Sequence, residues 1–300
     1  MVDFTDRVAI VTGAGGGLGR EHAKLLASLG AAVVINDLGG DVHGAGSGTS
    51  PADAVVDEIR ATGGAAVADH ASVSDPEAAA SIVERAVAEF GRIDVVVNNA
   101  GILRDKTFAN LEWGDLAAVL DVHLKGAFYV TQPAFAHMKA QGYGRIVVTS
   151  SASGLLGNFG QTNYGAAKMG LIGLMQVLKL EAARYGITVN AVAPIANTRM
   201  TTELLGDGAQ LFDAALVSPA VAYLASEACT LSGEVWSVGG GSVSRFFVGL
   251  TPGWFRHPDR GPITVDDIAT NVEAIRAEAG YLVPYSSGDE FTKLGKLLGG

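Results

Sequence analysis

Three side chains near the middle of the chain have the types and the spacing that proton transfer at an alcohol or a carbonyl requires. Tyr164 and Lys168 are four residues apart, so on a helix they share one face. There the ammonium of the lysine favours the phenolate, and we expect the pKa of Tyr164 to be lowered toward neutrality so that it serves as a base. Ser151, thirteen residues earlier, offers a hydroxyl that can hold the reacting oxygen.

A parallel sheet would bring these groups together. The apolar run that ends at Ser151 predicts a buried strand, and Tyr164 opens a predicted helix that runs to about Arg184. Similar runs predict strands at 8–12, 32–36, 65–68, 93–97, 144–151, 187–193 and 233–238, separated by helical patterns that include a long helix from about Glu112 to Lys139. Strands that alternate with helices predict an α/β fold, a doubly wound parallel seven-stranded sheet of the Rossmann type.

A glycine turn between the first strand and the first helix predicts dinucleotide binding. It contains Gly13, Gly16, Gly17, Leu18 and Gly19. Glycines let the backbone approach a pyrophosphate closely, and the helix N-terminus supplies partial positive charge. Glycine repeats alone are also typical of a flexible turn, so the flanking strand and helix carry the prediction.

Asp37 follows the second strand, about 20 residues beyond the glycine turn, where an acid accepts hydrogen bonds from the adenosine ribose. Its carboxylate repels a 2′-phosphate, and no Lys or Arg lies between Thr12 and Gly19 to attract one. We therefore expect NAD rather than NADP. The alternative is that Asp37 only opens the long glycine-rich loop from Gly39 to Ser50.

Composition excludes some partners and compartments. The chain has 21 basic and 31 acidic residues, a net charge of −10, so nucleic acid and anionic membrane surfaces are not expected partners. Its single cysteine, Cys229, is expected in the core and cannot form an internal disulfide. We find no signal peptide, no membrane span and no metal site in the pattern, and expect a cytoplasmic protein.

The C-terminal part differs in composition from the rest. From Arg245 prolines and aromatic residues become frequent, and Thr264 opens one further helix that ends near Gly280. We therefore expect an NAD-binding domain at 1–244 and a C-terminal helical extension at 245–300, which packs on the core or on a dimer partner. The apolar Tyr164 helix indicates burial or a subunit interface, and a homodimer or homotetramer is expected.

Jointly, these motifs resemble the short-chain dehydrogenase/reductase family. The resemblance rests on Thr12-Gly-Ala-Gly-Gly-Gly-Leu-Gly19, Asn98-Asn-Ala-Gly101, Ser151, and Tyr164 with Lys168. It implies an NAD-dependent oxidoreductase that acts on a secondary alcohol. The further residues that it implies for the cofactor are Ser72, Val73, Asn99, Ala100, Gly101, Tyr164, Lys168 and Thr198. His123 stands where many members have Asn, and is expected either to join the proton relay or only to shape its helix.

A closer resemblance is to the (3R)-hydroxyacyl-CoA dehydrogenase units of peroxisomal multifunctional enzymes of type 2. It rests on the stretches Asn36-Asp-Leu-Gly-Gly-Asp, Gly101-Ile-Leu-Arg-Asp, Val122-His-Leu and Gly157-Asn-Phe-Gly-Gln. It implies an acyl-CoA substrate and a separate hydratase as a partner. Arg104 and Lys106 could attract the CoA phosphates or could be a solvated loop.

Other functions fit the same residues. A 3-oxoacyl-carrier-protein reductase would share them, although its expected preference for NADPH disagrees with Asp37. An NAD-dependent hydroxysteroid dehydrogenase also fits, because the segment that follows Pro194-Ile-Ala-Asn-Thr-Arg, up to Asp213, is expected to be a mobile lid that sets substrate choice. A non-catalytic NAD(H)-sensing protein could keep the glycine turn but would have no need for Ser151, Tyr164 and Lys168 together.

Overall fold

The computed structural model describes residues 2–46, 50–198 and 206–299. The chain folds into two compact units and passes from the first to the second between Arg245 and Phe246. Throughout the described ranges no helix combines the length and the apolar composition that crossing a bilayer requires.

The first unit is built on a mostly parallel sheet, for which the described residues supply eight strands. They are β1 (Val8–Thr12), β2 (Ala32–Asn36), β3 (Ala65–Asp69), β4 (Val95–Asn98), β5 (Gly144–Thr149), β6 (Ile187–Pro194), β7 (Val235–Gly239) and β8 (Ser242–Phe246). Their order is β3-β2-β1-β4-β5-β6-β7-β8. The strand β1 pairs in parallel with β2 on one side and β4 on the other, which leaves a crevice at its carboxyl end. Ligands of doubly wound sheets bind in such a crevice.

The α/β class and the doubly wound sheet are confirmed, but the predicted strand number, seven, is wrong by one. The extra strand, β8, follows β7 after only Gly240 and Gly241, both with positive φ, at +56° and +80°. Two such residues make the tight turn that joins neighbouring antiparallel strands. The strand β8 spans the change of composition at Arg245, so its short pattern does not stand out in the sequence.

Helices cover the sheet in groups. They are α1 (Gly17–Ser28), α2 (Ser50–Ala61), α3 (Pro76–Phe90), α4 (Trp113–Leu120), α5 (Gly126–Gln141), α6 (Ala152–Leu155), α7 (Thr162–Ala182) and α8 (Ser218–Ala225). The helix α1 packs on α2 and α8, α3 packs on α5, and α4 packs on α7. These groups bury the β-branched strands, of which β1, β4 and β5 are buried at every position.

The long helix predicted from Glu112 to Lys139 is interrupted. It consists of α4 and α5 joined by a π-helical turn at Asp121–Lys125, in which His123 is buried. A π-helical turn holds more residues than an α-helical turn and is frequent at functional sites. The apolar spacing continues through the turn, so the sequence pattern did not reveal it.

Cys229 is fully buried and free, which confirms its prediction as a core residue. It belongs to the largest apolar cluster of the first unit, together with Val11 of β1 and Leu224 of α8. The cluster contains residues of β1, β2 and β4 and of α1, α2 and α8, so it packs these helices on the sheet.

The second unit contains α9 (Val265–Thr270), α10 (Val272–Arg276) and α11 (Ser287–Gly299). The single helix predicted from Thr264 is divided at Asn271, which ends α9 and precedes α10. Thr264 and Asp267 form a capping box at its start, as the sequence indicates. Within this unit the rings of Phe247 and Tyr281 stack with their centroids 5.6 Å apart.

Candidate active site

A cleft of about 290 Å³ opens at the carboxyl ends of the central strands. It holds nearly all residues predicted for the site. Those that line it are Gly13, Gly16, Gly17, Leu18, Asp37, Val73, Asn99, Ala100, Gly101, His123, Ser151, Tyr164, Lys168 and Thr198. The structure therefore brings the predicted nucleotide residues and the predicted catalytic residues into one cavity.

Two predicted cofactor residues do not line the cleft. A Cβ atom at Gly19 would lie 2.3 Å from the carbonyl oxygen of Gly13, so this glycine allows α1 to pack closely against the turn. The hydroxyl of Ser72 lies 2.9 Å from that of Ser74, and both are on the surface side of the loop after β3. Contact of Gly19 and Ser72 with the cofactor stays a prediction.

The glycine turn has the backbone that a bound pyrophosphate needs. Gly13 and Gly17 have positive φ, at +63° and +51°, which other residues adopt only with strain. A Cβ atom at Gly13 would lie 2.7 Å from the Cα atom of Ala100, and one at Gly15 would lie 2.8 Å from the carboxylate of Asp37. The turn is therefore pressed between the ends of β2 and β4.

Asp37 and Asn99 hold the turn from its two sides. The carboxylate of Asp37 accepts hydrogen bonds from the N–H of Gly15 at 2.8 Å and of Gly39 at 2.7 Å. The amide of Asn99 donates to the carbonyl oxygens of Thr12 at 3.0 Å and Gly13 at 3.1 Å. Asn99 thus pins the end of β1 and the start of its glycine turn.

The catalytic candidates meet at the other end of the cleft. Ser151 caps α6 and its Oγ accepts a hydrogen bond from the N–H of Ser153 at 3.1 Å. Tyr164 lies in the first turn of α7, and the Nζ atom of Lys168, one turn later, lies 5.4 Å from the centroid of the Tyr164 ring. The same Nζ donates to the carbonyl oxygen of Thr149 at 2.6 Å, which anchors the lysine to the end of β5.

The expected direction of the Tyr164 pKa is wrong for this structure. Burial raises the pKa of Tyr164 to about 12, and the hydrogen bond with Ser151 only partly opposes this. Burial also lowers the pKa of Lys168 to about 7. Desolvation of both groups therefore outweighs the lysine charge that the helical spacing suggested, and the protein groups keep Tyr164 as a phenol at neutral pH.

His123 lies against Tyr164, with the two rings edge to face and their centroids 5.2 Å apart. Its Nε2 atom is 2.8 Å from the carbonyl oxygen of Ile102 and 3.0 Å from the N–H of the same residue. Burial, followed by the nearby Lys168 ammonium, lowers the pKa of His123 well below its ordinary value. The imidazole is therefore neutral, which restricts a relay role to hydrogen bonding.

The sequence analysis missed a polar network beside Tyr164. Asn158 and Gln161 line the cleft, and Gln161 donates a 2.6 Å hydrogen bond to Asp105 while it accepts one from Asn158 at 3.0 Å. Asn163, fully buried, donates to the carbonyl oxygen of Arg104 at 2.9 Å. The signal that could have found the network is the cluster of three side-chain amides, Asn158, Gln161 and Asn163, between Ser151 and Tyr164.

A loop also crosses the cleft. The N–H of Leu103 donates to the carbonyl of Val42 at 2.8 Å, and the Nδ1 atom of His43 lies 2.9 Å from the carbonyl oxygen of Leu103. Because β2 and β4 flank β1, residues 39–46 pass over the carboxyl end of β1 and its glycine turn. We call residues 39–46 the crossing loop. Residues 47–49, which complete the predicted glycine-rich loop, are outside the described ranges.

Arg104 and Lys106 carry compensated charges. The guanidinium of Arg104 lies 3.3 Å from the carboxylate of Asp115. The ammonium of Lys106 lies 2.8 Å from the carboxylate of Glu112 and 3.1 Å from that of Asp115. Of the two interpretations of these cations, the structure therefore favours a paired surface segment over a phosphate site. Residues 199–205 of the predicted lid are likewise outside the described ranges, and the remainder up to Asp213 contains a 3-10 helix at Gly206–Phe212.

The cleft fits a nicotinamide dinucleotide. The glycines of the turn let its main chain approach a pyrophosphate closely, and the Asp37 carboxylate fits a ribose with free hydroxyls. Two buried polar atoms of lining residues, Nδ1 of His123 and Oγ1 of Thr149, lack a hydrogen-bond partner in the described part of the chain. Buried polar atoms are nearly always paired in proteins, so this end of the cleft is suited to a polar ligand.

Comparisons with known proteins agree with this geometry. A family model for short chain dehydrogenases matches residues 7–207. A short-chain type dehydrogenase/reductase of Mycobacterium tuberculosis is 54% identical over 246 residues, which are 82% of this chain and 86% of that protein. The peroxisomal multifunctional enzyme type 2 of Mus musculus is 47% identical over 273 residues, which are 91% of this chain and 37% of the mouse protein.

Among solved structures, full-length peroxisomal multifunctional enzyme type 2 from Drosophila melanogaster superposes with a TM-score of 0.83 at 37% identity. The match covers 99% of this chain and 50% of the fly protein, so the chain corresponds to about half of that larger enzyme. The family model, the relatives and the cleft together confirm the predicted resemblance. The chain belongs to the short-chain dehydrogenase/reductase family of oxidoreductases, which act on secondary alcohols and ketones.

Proposed function

We propose that the protein interconverts a (3R)-hydroxyacyl-CoA and the corresponding 3-oxoacyl-CoA, with NAD(H) as its coenzyme. The observation that carries the proposal is the convergence of Ser151, Tyr164 and Lys168 in the same cleft as Asp37 and the glycine turn. The substrate class is supported by the similarity to multifunctional enzymes of type 2, which extends over 91% of the chain for the mouse protein.

The coenzyme end of the cleft would be formed by the glycine turn, Asp37 and Asn99. The turn would take the phosphates at the N-terminus of α1, and Asp37 would accept hydrogen bonds from the adenosine ribose. When bound, NAD(H) accepts or donates the hydride. Because the Asp37 carboxylate lines the cleft, a 2′-phosphate would be repelled there, so the site favours NAD(H) over its phosphorylated form.

Tyr164 would move the proton at the reacting oxygen. In the reducing direction the phenol donates its proton to the ketone oxygen, and in the oxidising direction the phenolate removes the alcohol proton. The raised pKa of Tyr164, about 12, means that the phenol form predominates in the protein at neutral pH. The donor form is therefore available without a prior proton transfer.

Ser151 and Lys168 would support Tyr164. The hydroxyl of Ser151 lies at the end of β5 beside Tyr164 and would hold the reacting oxygen as charge develops on it. Lys168, anchored to the carbonyl of Thr149, would stabilise the phenolate when Tyr164 loses its proton. His123, neutral and buried, would contribute hydrogen bonding and shape at this end of the cleft.

A substrate panel tests the proposal. We expect NAD⁺ reduction with (3R)-hydroxyacyl-CoAs at a kcat/KM at least tenfold above that with the (3S) isomers and with hydroxysteroids, a ratio that shape and hydrogen bonding in a pocket readily supply. The matched control is the Tyr164→Phe variant, whose turnover with every compound should fall by about 10²–10⁴-fold. A preference for hydroxysteroids, or for NADPH with carrier-protein thioesters, would replace the proposed substrate by one of those classes.

A further inference from the structure

Two side-chain amides that the proposed mechanism does not use line the cleft together with the catalytic groups. They belong to Asn158 and Gln161, and the same cleft is lined by Ser151 and Tyr164. Gln161 is the N-cap residue of α7, and Tyr164 follows three positions later in the first turn of that helix. The N–H of Gly165 donates to the carbonyl oxygen of Gln161 at 2.7 Å, which closes this turn. The side chain of Gln161 therefore leaves the chain about one helical turn before the phenol.

Gln161 is held by its side chain and by its backbone. Its Nε2 atom donates to a carboxylate oxygen of Asp105 at 2.6 Å, and its Oε1 atom accepts from the Nδ2 atom of Asn158 at 3.0 Å. Its backbone forms an isolated parallel bridge with that of Lys106, and only 7% of the residue is exposed. Contacts on both ends of the amide hold the side chain in one position, as a binding group requires.

The carboxylate of Asp105 determines which way the two amides point. A carboxylate oxygen accepts hydrogen bonds, whereas an amide group has a donor end and an acceptor end. The nitrogen of Gln161 must therefore face Asp105, which turns the oxygen of Gln161 toward Asn158. The nitrogen of Asn158 must in turn face that oxygen. The donors and acceptors of this chain of three residues are thus ordered from its carboxylate end.

Each amide nitrogen keeps one hydrogen for a ligand. An amide nitrogen carries two hydrogens, and the hydrogen bonds of the chain use one on Gln161 and one on Asn158. Among the residues that the structure describes, no acceptor pairs with the second hydrogen of either group. Because Gln161 is buried and lines the cleft, we expect a ligand to supply an acceptor for it.

A 3-oxoacyl thioester carries a second acceptor beside its ketone. Ser151 and Tyr164 would hold the ketone oxygen, and the thioester carbonyl is one methylene carbon away. Side chains one turn apart on a helix start about 5–6 Å from each other, so the second oxygen is within reach of Gln161 while Tyr164 faces the first. An isolated ketone has no second carbonyl in that position.

We propose that the side-chain amide of Gln161, oriented by Asp105 and supported by Asn158, donates a hydrogen bond to the thioester carbonyl of the substrate. Gln161 is thereby a specificity residue, which selects compounds with two carbonyl groups separated by one carbon over isolated ketones. The inference rests on the proposed function, because it adds to the same cleft a contact with a part of the substrate that does not react.

A pair of compounds isolates this contact. Acetoacetyl-CoA has both carbonyl groups, and S-(3-oxobutyl)-CoA has the same ketone and the same CoA group but a methylene in place of the thioester carbonyl. Gln161→Met keeps the length of the side chain and removes its hydrogen bonding. With NADH as the reductant, we expect kcat/KM for acetoacetyl-CoA to fall about tenfold in this variant and that for S-(3-oxobutyl)-CoA to change by less than about twofold.

The quantity to compare between proteins is the ratio of the two kcat/KM values. A smaller folded fraction or a displaced Tyr164 would lower both values together, and the difference in reactivity between the two ketones is the same for every protein, so neither alters the comparison. Gln132→Met, at an exposed position on α5 outside the cleft lining, is the control and should keep the wild-type ratio. Asp105→Ala, which leaves the amide of Gln161 free to turn, should lower the ratio by a smaller factor than Gln161→Met. A wild-type ratio in Gln161→Met would overturn the proposal.

Equilibrium binding separates this inference from the proposed function. Protein saturated with NAD⁺ has no hydride to transfer, so isothermal titration calorimetry measures the affinity for acetoacetyl-CoA without turnover. Gln161→Met should raise the Kd of acetoacetyl-CoA about tenfold and leave that of S-(3-oxobutyl)-CoA within about twofold.

The two measurements together identify which statement fails. If the selective loss of affinity occurs in a protein that does not reduce acetoacetyl-CoA, only the proposed function fails. If acetoacetyl-CoA is reduced but Gln161→Met weakens both compounds alike, or weakens NADH instead, Gln161 serves the fold or the coenzyme and the inference fails. If there is neither turnover nor a selective loss of affinity, both fail.

Discussion

The carboxylate of Asp37 accepts a 2.8 Å hydrogen bond from the backbone N–H of Gly15. The acid that follows β2 therefore shapes the glycine turn that follows β1, as well as presenting a negative charge to the cleft. A substitution at Asp37 that tests the effect of its charge on the coenzyme must therefore keep the acceptor for the Gly15 N–H.

Asp37→Asn meets that condition, because asparagine keeps an acceptor oxygen but loses the charge. We expect the ratio of kcat/KM for NADP⁺ to that for NAD⁺ to rise at least about tenfold, since a like charge opposite a phosphate costs several kcal/mol. Steady-state kinetics with both coenzymes measure the ratio. Asp57→Asn, remote from the cleft, is the control, and an unchanged ratio would refute the role of Asp37 in coenzyme choice.

Tyr164→Phe deletes the hydroxyl and keeps the ring that packs against His123. Turnover should fall by about 10²–10⁴-fold, the usual contribution of a positioned acid or base. NADH affinity, measured by fluorescence titration, should stay within about threefold. Tyr129→Phe on α5, outside the cleft lining, should behave as the wild type. Near-normal turnover of Tyr164→Phe would end the assignment.

Because Tyr164 has a raised pKa, the rates of ketone reduction and of alcohol oxidation should depend on pH in opposite ways. Reduction requires the phenol, which is present below the pKa and is lost as the pH rises through it. Oxidation requires the phenolate, so its kcat/KM should rise with pH well into the alkaline range, because burial raises the pKa of Tyr164 to about 12. Initial rates in both directions over a common pH series test this, and an oxidation rate that levels off below neutral pH would contradict it.

His22 should make the fold sensitive to acid. It is buried, its Nδ1 atom lies 2.8 Å from the hydroxyl of Ser218, and burial lowers its pKa to about 3. As the pH falls, His22 is protonated in the unfolded chain at a higher pH than in the folded protein. Its contribution to the free energy of unfolding is therefore fully present above the unfolded pKa of about 6.5 and is lost as the pH falls below that value.

At pH 5 this loss amounts to about 2 kcal/mol for one histidine. His22→Gln should therefore reduce the difference in the free energy of unfolding between pH 7 and pH 5 by about that amount, measured by urea denaturation. His137→Gln, at an exposed position on α5, should leave the difference unchanged. An equal acid sensitivity in the His22→Gln variant and the wild type would show that another group is responsible.

The crossing loop should control how fast the coenzyme leaves. His43→Ala removes the side-chain contact with the carbonyl of Leu103, one of the links that hold residues 39–46 over the glycine turn. We expect NADH dissociation, followed by stopped-flow fluorescence, to accelerate several-fold, corresponding to about 1 kcal/mol for one hydrogen bond. His137→Ala is the control, and an unchanged rate would show that the loop does not retain the coenzyme.

Much of the first unit could be predicted because its signals are local. The strand before the glycine turn, the acid after β2 and the Tyr164 helix are each encoded in a few consecutive residues. Their common position follows from a general rule, that the carboxyl ends of parallel strands meet at one edge. The strand β8 and the π-helical turn were missed because a change of composition hid the first and an uninterrupted apolar spacing hid the second.

The electrostatics of the site could not be read from spacing. The spacing of four positions from Tyr164 to Lys168 indicates a shared helix face but not the burial that dominates both pKa values. Asp105 and Gln161 are 56 positions apart, and only the folded chain shows that they touch. A network of this kind depends on which loops meet, and no local pattern encodes that.

The ion pairs at Arg104 and Lys106 have a consequence for diffusion. With these cations matched to acids and a net charge of −10, the protein offers an anionic thioester little long-range attraction. Encounters between two negatively charged partners become more frequent as salt is added, the reverse of the behaviour of a positively charged cleft. Capture of such a substrate would then depend on short-range fit after collision rather than on electrostatic steering.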